Sequence, residues 1–356
     1  MTPRERIRAA INHQPTDKPP FGWGFGMNRP INEAFREYMG FTSKDAYADY
    51  VRTRADIQRV GPRYIGPAHL EITLPDGGYK DHWGVVRKPM SYGADSYMEI
   101  SHYPLAHMKD ASELKNYQFP SADWFDYEGM NEDIAKFDRE DEYAILASGG
   151  MIFESSWYQR GFEQMFVDMM DDPDFVYELL SRVTDFFIAR ARRLLEAADG
   201  RIDLFFTADD IGQQEGLLVS PRTWEALIKP HHARLNVALK EYGVKIIYHS
   251  DGSVIEGLEG LIDMGIDVLE AVQLDAKGMD PVELKRIAGD RLAFHGGISV
   301  QSLLPFGKPE EVEVEVRRLV KILGENGGYI AAPAHAIQAG TPPENVAAML
   351  RAVGRL

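Results

Sequence analysis

From about residue 140 onward, the apolar positions of this chain follow two alternating patterns. Short, mainly apolar runs at 144–147, 202–206, 245–249, 267–270, 292–295 and 329–332 have the length of buried β-strands. Between them, apolar residues recur every three or four positions, as on one face of a helix. Asp172-Pro173 is an N-cap followed by proline at the first helical position, and the helix it opens is predicted to stop at Gly200. Ser220-Pro221 opens another, carrying Trp224, Leu227, Ile228, Leu235 and Leu239 at helical spacing, with a kink expected at Pro230 and an end at Gly243. Further helices are predicted over 254–264, from Asp280-Pro281 to Gly289, near 309–324, and from Pro343. Strand–helix units repeated at this size imply a parallel sheet with helices outside it.

The first third is patterned differently. Pro19 through Phe25 suits a first strand, and a second is expected near Asp56-Ile57. Residues 72–104, with Gly77-Gly78, Asp81-His82-Trp83-Gly84 and Tyr97-Met98-Glu99-Ile100, are expected to form an inserted β-hairpin ahead of the third unit. No Ser- or Gly-rich linker and no repeat divides the chain. The expectation is therefore one α/β domain over residues 1–356, a (β/α)8 TIM barrel with an inserted hairpin.

Composition changes this picture little. The 356 residues are 44% hydrophobic and 26% charged, as in ordinary globular proteins. There is no cysteine, which excludes disulfides and thiolate ligands. A net charge of −16 without a basic stripe argues against nucleic acid and anionic membrane partners. The N-terminal residues lack a signal-peptide core and no run approaches a membrane span, so a cytoplasmic location is expected.

In parallel α/β barrels the strand-to-helix loops converge on one face, which makes strand ends the place to look for chemistry. Here they carry Asp209-Asp210, His249-Ser250-Asp251-Gly252, Glu270 with Gln273, His295-Gly296-Gly297 and, after the last strand, His335. His249 and Asp251 are two apart and share a face in extended chain. Two imidazoles and one or two carboxylates suit a borderline cation such as Zn²⁺. A hydrogen-bonded His249–Asp251 pair that merely fixes a loop is the other reading, and spacing alone leaves both open. One of Asp209 and Asp210 is expected to cap a helix and the other to face the pocket. His295 is a candidate for substrate contact or catalysis. His231 and His232, mid-helix, default to structure. Trp23, Phe25, Met27 and Trp157 are candidates for an apolar pocket wall or for plain core, and Glu154 and Arg160 for a structural ion pair.

At these residues the sequence resembles the uroporphyrinogen decarboxylase superfamily. The carrying stretches are Met1-Thr2-Pro3-Arg4-Glu5-Arg6, Asp81-His82-Trp83-Gly84, Trp157 through Glu163, Asp209-Asp210-Ile211-Gly212, His249-Ser250-Asp251-Gly252, Gly265 through Gln273, Phe294 through Ile298, and Pro333-Ala334-His335. True decarboxylases of that superfamily share an Arg-Gln-Ala-Gly-Arg segment after the first strand and a Phe-Ser-Asp acid after the second. This chain has Phe25-Gly26-Met27-Asn28-Arg29-Pro30 and Arg59-Val60-Gly61-Pro62-Arg63 at those places. The corrinoid-dependent methyltransferase branch holds zinc with a His-x-Cys pair and a later Cys. The layout here is similar, with His249-x-Asp251 and His335, both cysteines being replaced.

The resemblance therefore implies a metal-dependent methyltransferase. Its divalent ion, expected to be Zn²⁺, would be held by His249, Asp251 and His335. Asp210 and His295 would be the catalytic groups, and Trp23, Phe25, Glu270 and Gln273 would face a small methylated substrate. The chain has no Asp-x-His-x-x-Gly motif, so a corrinoid would have to come on a separate partner protein. Uroporphyrinogen decarboxylation is the alternative activity, and a non-catalytic small-molecule-binding barrel is a third reading. A homodimer is left open.

Overall fold

The computed structural model describes residues 1–91, 96–138 and 140–356. Its centre is a seven-stranded sheet, all parallel, in the order β1 (Ile57–Arg59), β2 (Ala144–Met151), β3 (Leu204–Ala208), β4 (Lys245–His249), β5 (Val268–Ala271), β6 (Ala293–Ile298) and β7 (Tyr329–Pro333). The strands are adjacent in chain order, with helices such as Pro173–Ala198, Lys229–Lys240 and Pro309–Leu323 between them, so the sheet curls as in a TIM-like barrel.

The predicted first strand over 19–25 is reduced to a single parallel bridge, Phe21 to Ala331. Ala331 N–H donates to Pro20 O (2.9 Å), Gly22 N–H to Ala331 O (3.0 Å) and, on the other side, Asp56 N–H to Phe21 O (2.8 Å). These bonds tie β7 to β1 through Phe21. Gly24 and Gly26 then take φ of 56° and 79°, which ends extended structure at once. The stretch expected as an inserted hairpin contains four short antiparallel strands, Ile72–Thr73, Tyr79–Lys80, Val86–Ser91 and Ser96–His102. Residues 92–95 of that stretch lie outside the described residues.

Strand periodicity divides the apolar residues in two. Ile145, Ala147, Phe205, Ile246, Tyr248, Leu269 and Phe294 face outward into the layer beneath the helices. Ala144, Leu146, Leu204, Phe206, Ile247, Val268 and Ala293 face inward. The inner stack is plugged by the helix Pro3–Ile11, whose Ile7, Ala10 and Ile11 join the same cluster. That helix starts with a capping box: Glu5 N–H donates to Thr2 Oγ1 (3.1 Å) and Thr2 N–H to Glu5 Oε2 (2.9 Å). Below it, buried Asp56 accepts from Arg6 (2.6 Å), from Phe21 N–H (2.9 Å) and from Arg355.

The helix opened by Ser220 and Pro221 is interrupted. Trp224–Ile228 is wound as a π-helix before the α-helix Lys229–Lys240 begins. Pro230, with no N–H to donate, falls just after that wide turn, so the expected kink takes the form of a π-bulge. No helix among the described residues is long and apolar enough to cross a membrane.

Candidate functional site

The inward face that is apolar at the amino end of the strands becomes polar at the carboxyl end. Ile247 is followed two residues on by His249, Val268 by Glu270 and Ala293 by His295. Strand register sets these three side by side, with His249 opposite Glu270 and Glu270 opposite His295. The buried layer of two imidazoles flanking a carboxylate is thus fixed by backbone pairing.

Glu270 is 1% exposed, and among the described residues neither of its oxygens has a hydrogen-bond partner of good geometry. Its Oε1 lies 3.3 Å from His295 Nδ1 and 3.9 Å from the Arg59 guanidinium, and its Oε2 lies 3.9 Å from His249 Nδ1. Burial by itself would raise the pKa of this carboxyl. His295 first, then His249 and Arg59, outweigh burial and hold it at about 2. Arg59, the last residue of β1, also lies over the rings of Phe206 (4.7 Å) and Phe25 (5.5 Å). Gly22 closes the layer from above, because a Cβ there would come within 2.6 Å of His295 Nε2. The backbone after Glu270 is strained: Ala271 and Val272 have φ of 27° and 49°, costly for a β-branched residue. The bend brings Gln273 back so that its Oε1 accepts the Gly252 N–H (2.8 Å).

One step further toward the mouth, His249 turns its other nitrogen to two carboxylates. Nε2 lies 3.7 Å from Asp210 Oδ1 and 3.8 Å from Asp251 Oδ1. Ligand-type atoms of Asp210, His249 and Asp251 all fall within 4.8 Å of one another. Asp210 is oriented by accepting the Asp251 N–H (2.7 Å). The loop is locked by Ser250, whose Oγ accepts from Ile211 N–H (3.0 Å) and Gly212 N–H (3.2 Å). Gly252, at φ 77°, packs so closely on Gln213 that a Cβ would meet its nitrogen at 2.5 Å. Burial, chiefly, and Asp210 raise the pKa of Asp251, against the opposing pull of His249 and His335.

His335 stands across from this trio. Its Nε2 is 3.8 Å from Asp251 Oδ2, its ring centroid is 6.2 Å from that of His249, and its side chain is 41% exposed. It borders the close group without belonging to it. Phe25 lies against both imidazoles, at ring distances of 4.8 Å and 4.9 Å, and is itself exposed. Trp23 is half-buried and donates its indole N–H to Val51 O (2.8 Å), so it braces the rim from behind.

The neighbouring aspartates divide as expected, but the cap is made in an unexpected place. Asp209 is fully buried and accepts from Phe153 N–H (2.7 Å) and Glu154 N–H (2.8 Å), the first turn of the helix Ile152–Arg160 that follows β2. It is also bonded to buried His232. His232 is therefore structural, yet it fixes the aspartate next to the site.

The expected Glu154–Arg160 pair does not form. Six residues apart on a helix, the two point to different faces. Arg160 instead pairs with Asp168 (2.6 Å) and donates to Leu105 O and Met108 O. Glu154 faces the mouth, where burial first and then Asp209, Asp210 and Asp251 raise its pKa to about 8, against the lowering effect of the Tyr158 hydroxyl. Sequence reasoning missed Arg59, Glu154 and Tyr158. Of these, Glu154 alone had a signal, as a carboxylate three residues past a strand end.

The uroporphyrinogen decarboxylase profile matches residues 98–356. The chain belongs to the uroporphyrinogen decarboxylase family. Among curated members, a methylated-thiol–coenzyme M methyltransferase of Methanosarcina mazei is 28% identical over 203 residues, which is 56% of this chain and 50% of that protein. A uroporphyrinogen decarboxylase of Syntrophotalea carbinolica is 25% identical over 192 residues, 53% of this chain and 51% of that protein. The chain thus spans about half the length of these curated relatives. A solved methyltransferase from Methanosarcina mazei superposes with a TM-score of 0.71 at 17% identity, covering 99% of this chain and 98% of the other. That structure therefore shares the fold over nearly the whole of this chain.

Proposed function

We propose that the protein is a metal-dependent methyltransferase that moves a methyl group between a small methylated compound and a corrinoid carried by a separate protein. The observation that carries this reading is the Asp210–His249–Asp251 group at the carboxyl end of the sheet. Tetrahedral zinc with ligands at about 2.0–2.1 Å places donor atoms roughly 3.4 Å apart. His249 Nε2, at 3.7 Å from Asp210 and 3.8 Å from Asp251, needs only a slight contraction to match, within a trio whose donor atoms all lie within 4.8 Å of one another. His335, beside Asp251, is the residue available as a further ligand.

The buried Nδ1 of His249 has no hydrogen-bond partner among the described residues but faces charged Glu270 at 3.9 Å, an arrangement suited to fixing an imidazole whose Nε2 serves as a ligand. When bound, the ion would act as a Lewis acid on the atom that carries or receives the methyl group. With nitrogen and oxygen donors only, the site suits harder leaving or accepting atoms than a thiolate-rich one.

The chain's own residues do the rest. Phe25 provides an apolar surface against both imidazoles, where a methyl group can be seated. Glu154 is placed to hold or release a proton at the mouth. Decarboxylation of an acidic tetrapyrrole would call for cations to hold its carboxylates, whereas Arg59 is turned toward buried Glu270.

Elemental analysis of the purified protein beside His249→Ala and His335→Ala tests the assignment. Near-stoichiometric divalent metal in the parent is expected, lost in His249→Ala and weakened in His335→Ala, with methyl transfer to a free corrinoid following metal content. Parent protein that stays metal-free after incubation with zinc, or a metal-free variant with full transfer activity, would overturn it.

A further inference from the structure

Away from the barrel mouth, helices Arg29–Tyr38 and Lys44–Arg54 flank an open cavity of about 630 Å³. Its charge runs against that of the molecule. The chain carries −16 overall, yet Arg29, Arg36, Lys44 and Arg52 line this cavity against a single carboxylate, Glu33. Two of the four cations are engaged: Arg29 pairs with Glu33 (2.9 Å) and Arg52 with Asp49. The other two are not neutralised inside it. Among the described residues, Arg36 has a single ion pair, a distant one with Glu37 (3.9 Å) outside the lining. Lys44 makes no hydrogen bond or close ion pair among the described residues, although its field, with those of Arg29 and Arg36, reaches Glu33.

The floor is of another kind. Tyr47, Ala48 and Val51 form a largely apolar surface, and the Tyr47 hydroxyl is held by Asn32 Oδ1 (2.8 Å), itself part of the lining. A volume of this size with an apolar floor and a few convergent charges is what a small-molecule site requires. We propose that this cavity binds a small organic anion, a phosphate or carboxylate on a compact apolar or aromatic body. Arg36 and Lys44 would take the head group, and Tyr47 and Val51 would take the body.

The site is tied to the barrel mouth. Val51 O accepts the Trp23 indole N–H (2.8 Å), and the helix Arg29–Tyr38 follows directly on the Phe25–Met27 loop. Asn28 at its cap donates its backbone N–H to Ile337 O (3.0 Å), in the segment after His335. An occupant would therefore brace the rim without touching the reacting atoms.

Calorimetric titration of the full chain with phenyl phosphate, benzoate and inorganic phosphate, repeated on an Arg36→Gln/Lys44→Gln double variant, tests this inference. Saturable binding of phenyl phosphate or benzoate is expected, with the head group decided by which binds tighter. Binding should weaken about tenfold or more in the variant, as loss of charged hydrogen-bond donors implies. An unchanged melting temperature would show that the variant is folded; if it melts early, Val51→Asp, which puts a like charge on the floor, takes its place. Undiminished binding in the variants, equal affinity for inorganic phosphate, or no binding of either aromatic probe at millimolar concentration would overturn it. Neither metal nor methyl transfer enters the measurement, so its outcome is independent of the proposed activity.

Discussion

Glu154 keeps its proton to about pH 8 in the folded protein, whereas an ordinary glutamate loses it near 4.5. The folded state therefore binds more protons than the unfolded chain between those values, and stability falls as pH rises through that window. Glu154→Gln keeps the shape without the charge. In chelator-treated protein, the variant should match the parent near pH 4.5 and exceed it increasingly up to pH 9, by several kcal/mol at about 1.4 kcal/mol per pKa unit. Urea midpoints at a series of pH values measure this, and parallel profiles for the two proteins would refute it. Glu154 also shows where residue-level reading ran short. Strand-end positions such as His249, Asp251, Glu270 and His295 were legible because alternation and turn residues mark them. The direction of a side chain on the next helix was not, and Glu154 was assigned to Arg160 when it faces the mouth. Arg59 was missed for a related reason: β1 has three residues, too few to display a period.

Among the elements, the helix Pro3–Ile11 has the least conspicuous sequence and one of the more consequential positions. Thr2-Pro3-Arg4-Glu5 is a capping-box signature that was available in the sequence. What could not be read was its destination, since plugging a barrel is a long-range fact that nine residues do not encode. Ile7 is fully buried in the inner stack. Ile7→Ala should cost about 3 kcal/mol, within the range for large-to-small core substitutions. Chemical denaturation would register it as a lower midpoint at unchanged slope, and a midpoint within error of the parent would show that the plug contributes little. The converse failure occurred at residues 19–25, where an apolar, aromatic run read as a strand. Glycines at positive φ convert all but Phe21 into loop, and propensity summed over the run does not register a single dihedral.

At the scale of the whole molecule, alternation of strands and helices made the parallel sheet legible from the second third onward, and the motif set made the family legible. The charged group at the closed end was invisible, because its members come from distant parts of the chain. Asp56 is 1% exposed and meets both Arg6 and Arg355. Burial raises the pKa of its carboxyl despite these cations. Asp56→Asn would leave buried Arg355 without its anion and Arg6 with Asp17 alone, a loss of about 3 kcal/mol by analogy with broken buried ion pairs. Thermal unfolding should show a correspondingly lower midpoint, while a variant as stable as the parent would mean that the cations find other partners.

The plug has a consequence for biosynthesis. Ile7, Ala10 and Ile11 are made well before Val268, Ala293 and Ile330, which belong to the same stack. Arg355, which donates to Pro19 O across 336 positions, arrives later still. A nine-residue helix is marginal alone in water. A helix made before every strand of the sheet is thus among the last elements to be secured, and the strands of the half-finished sheet wait for closure with their inner faces still open to chaperones and proteases.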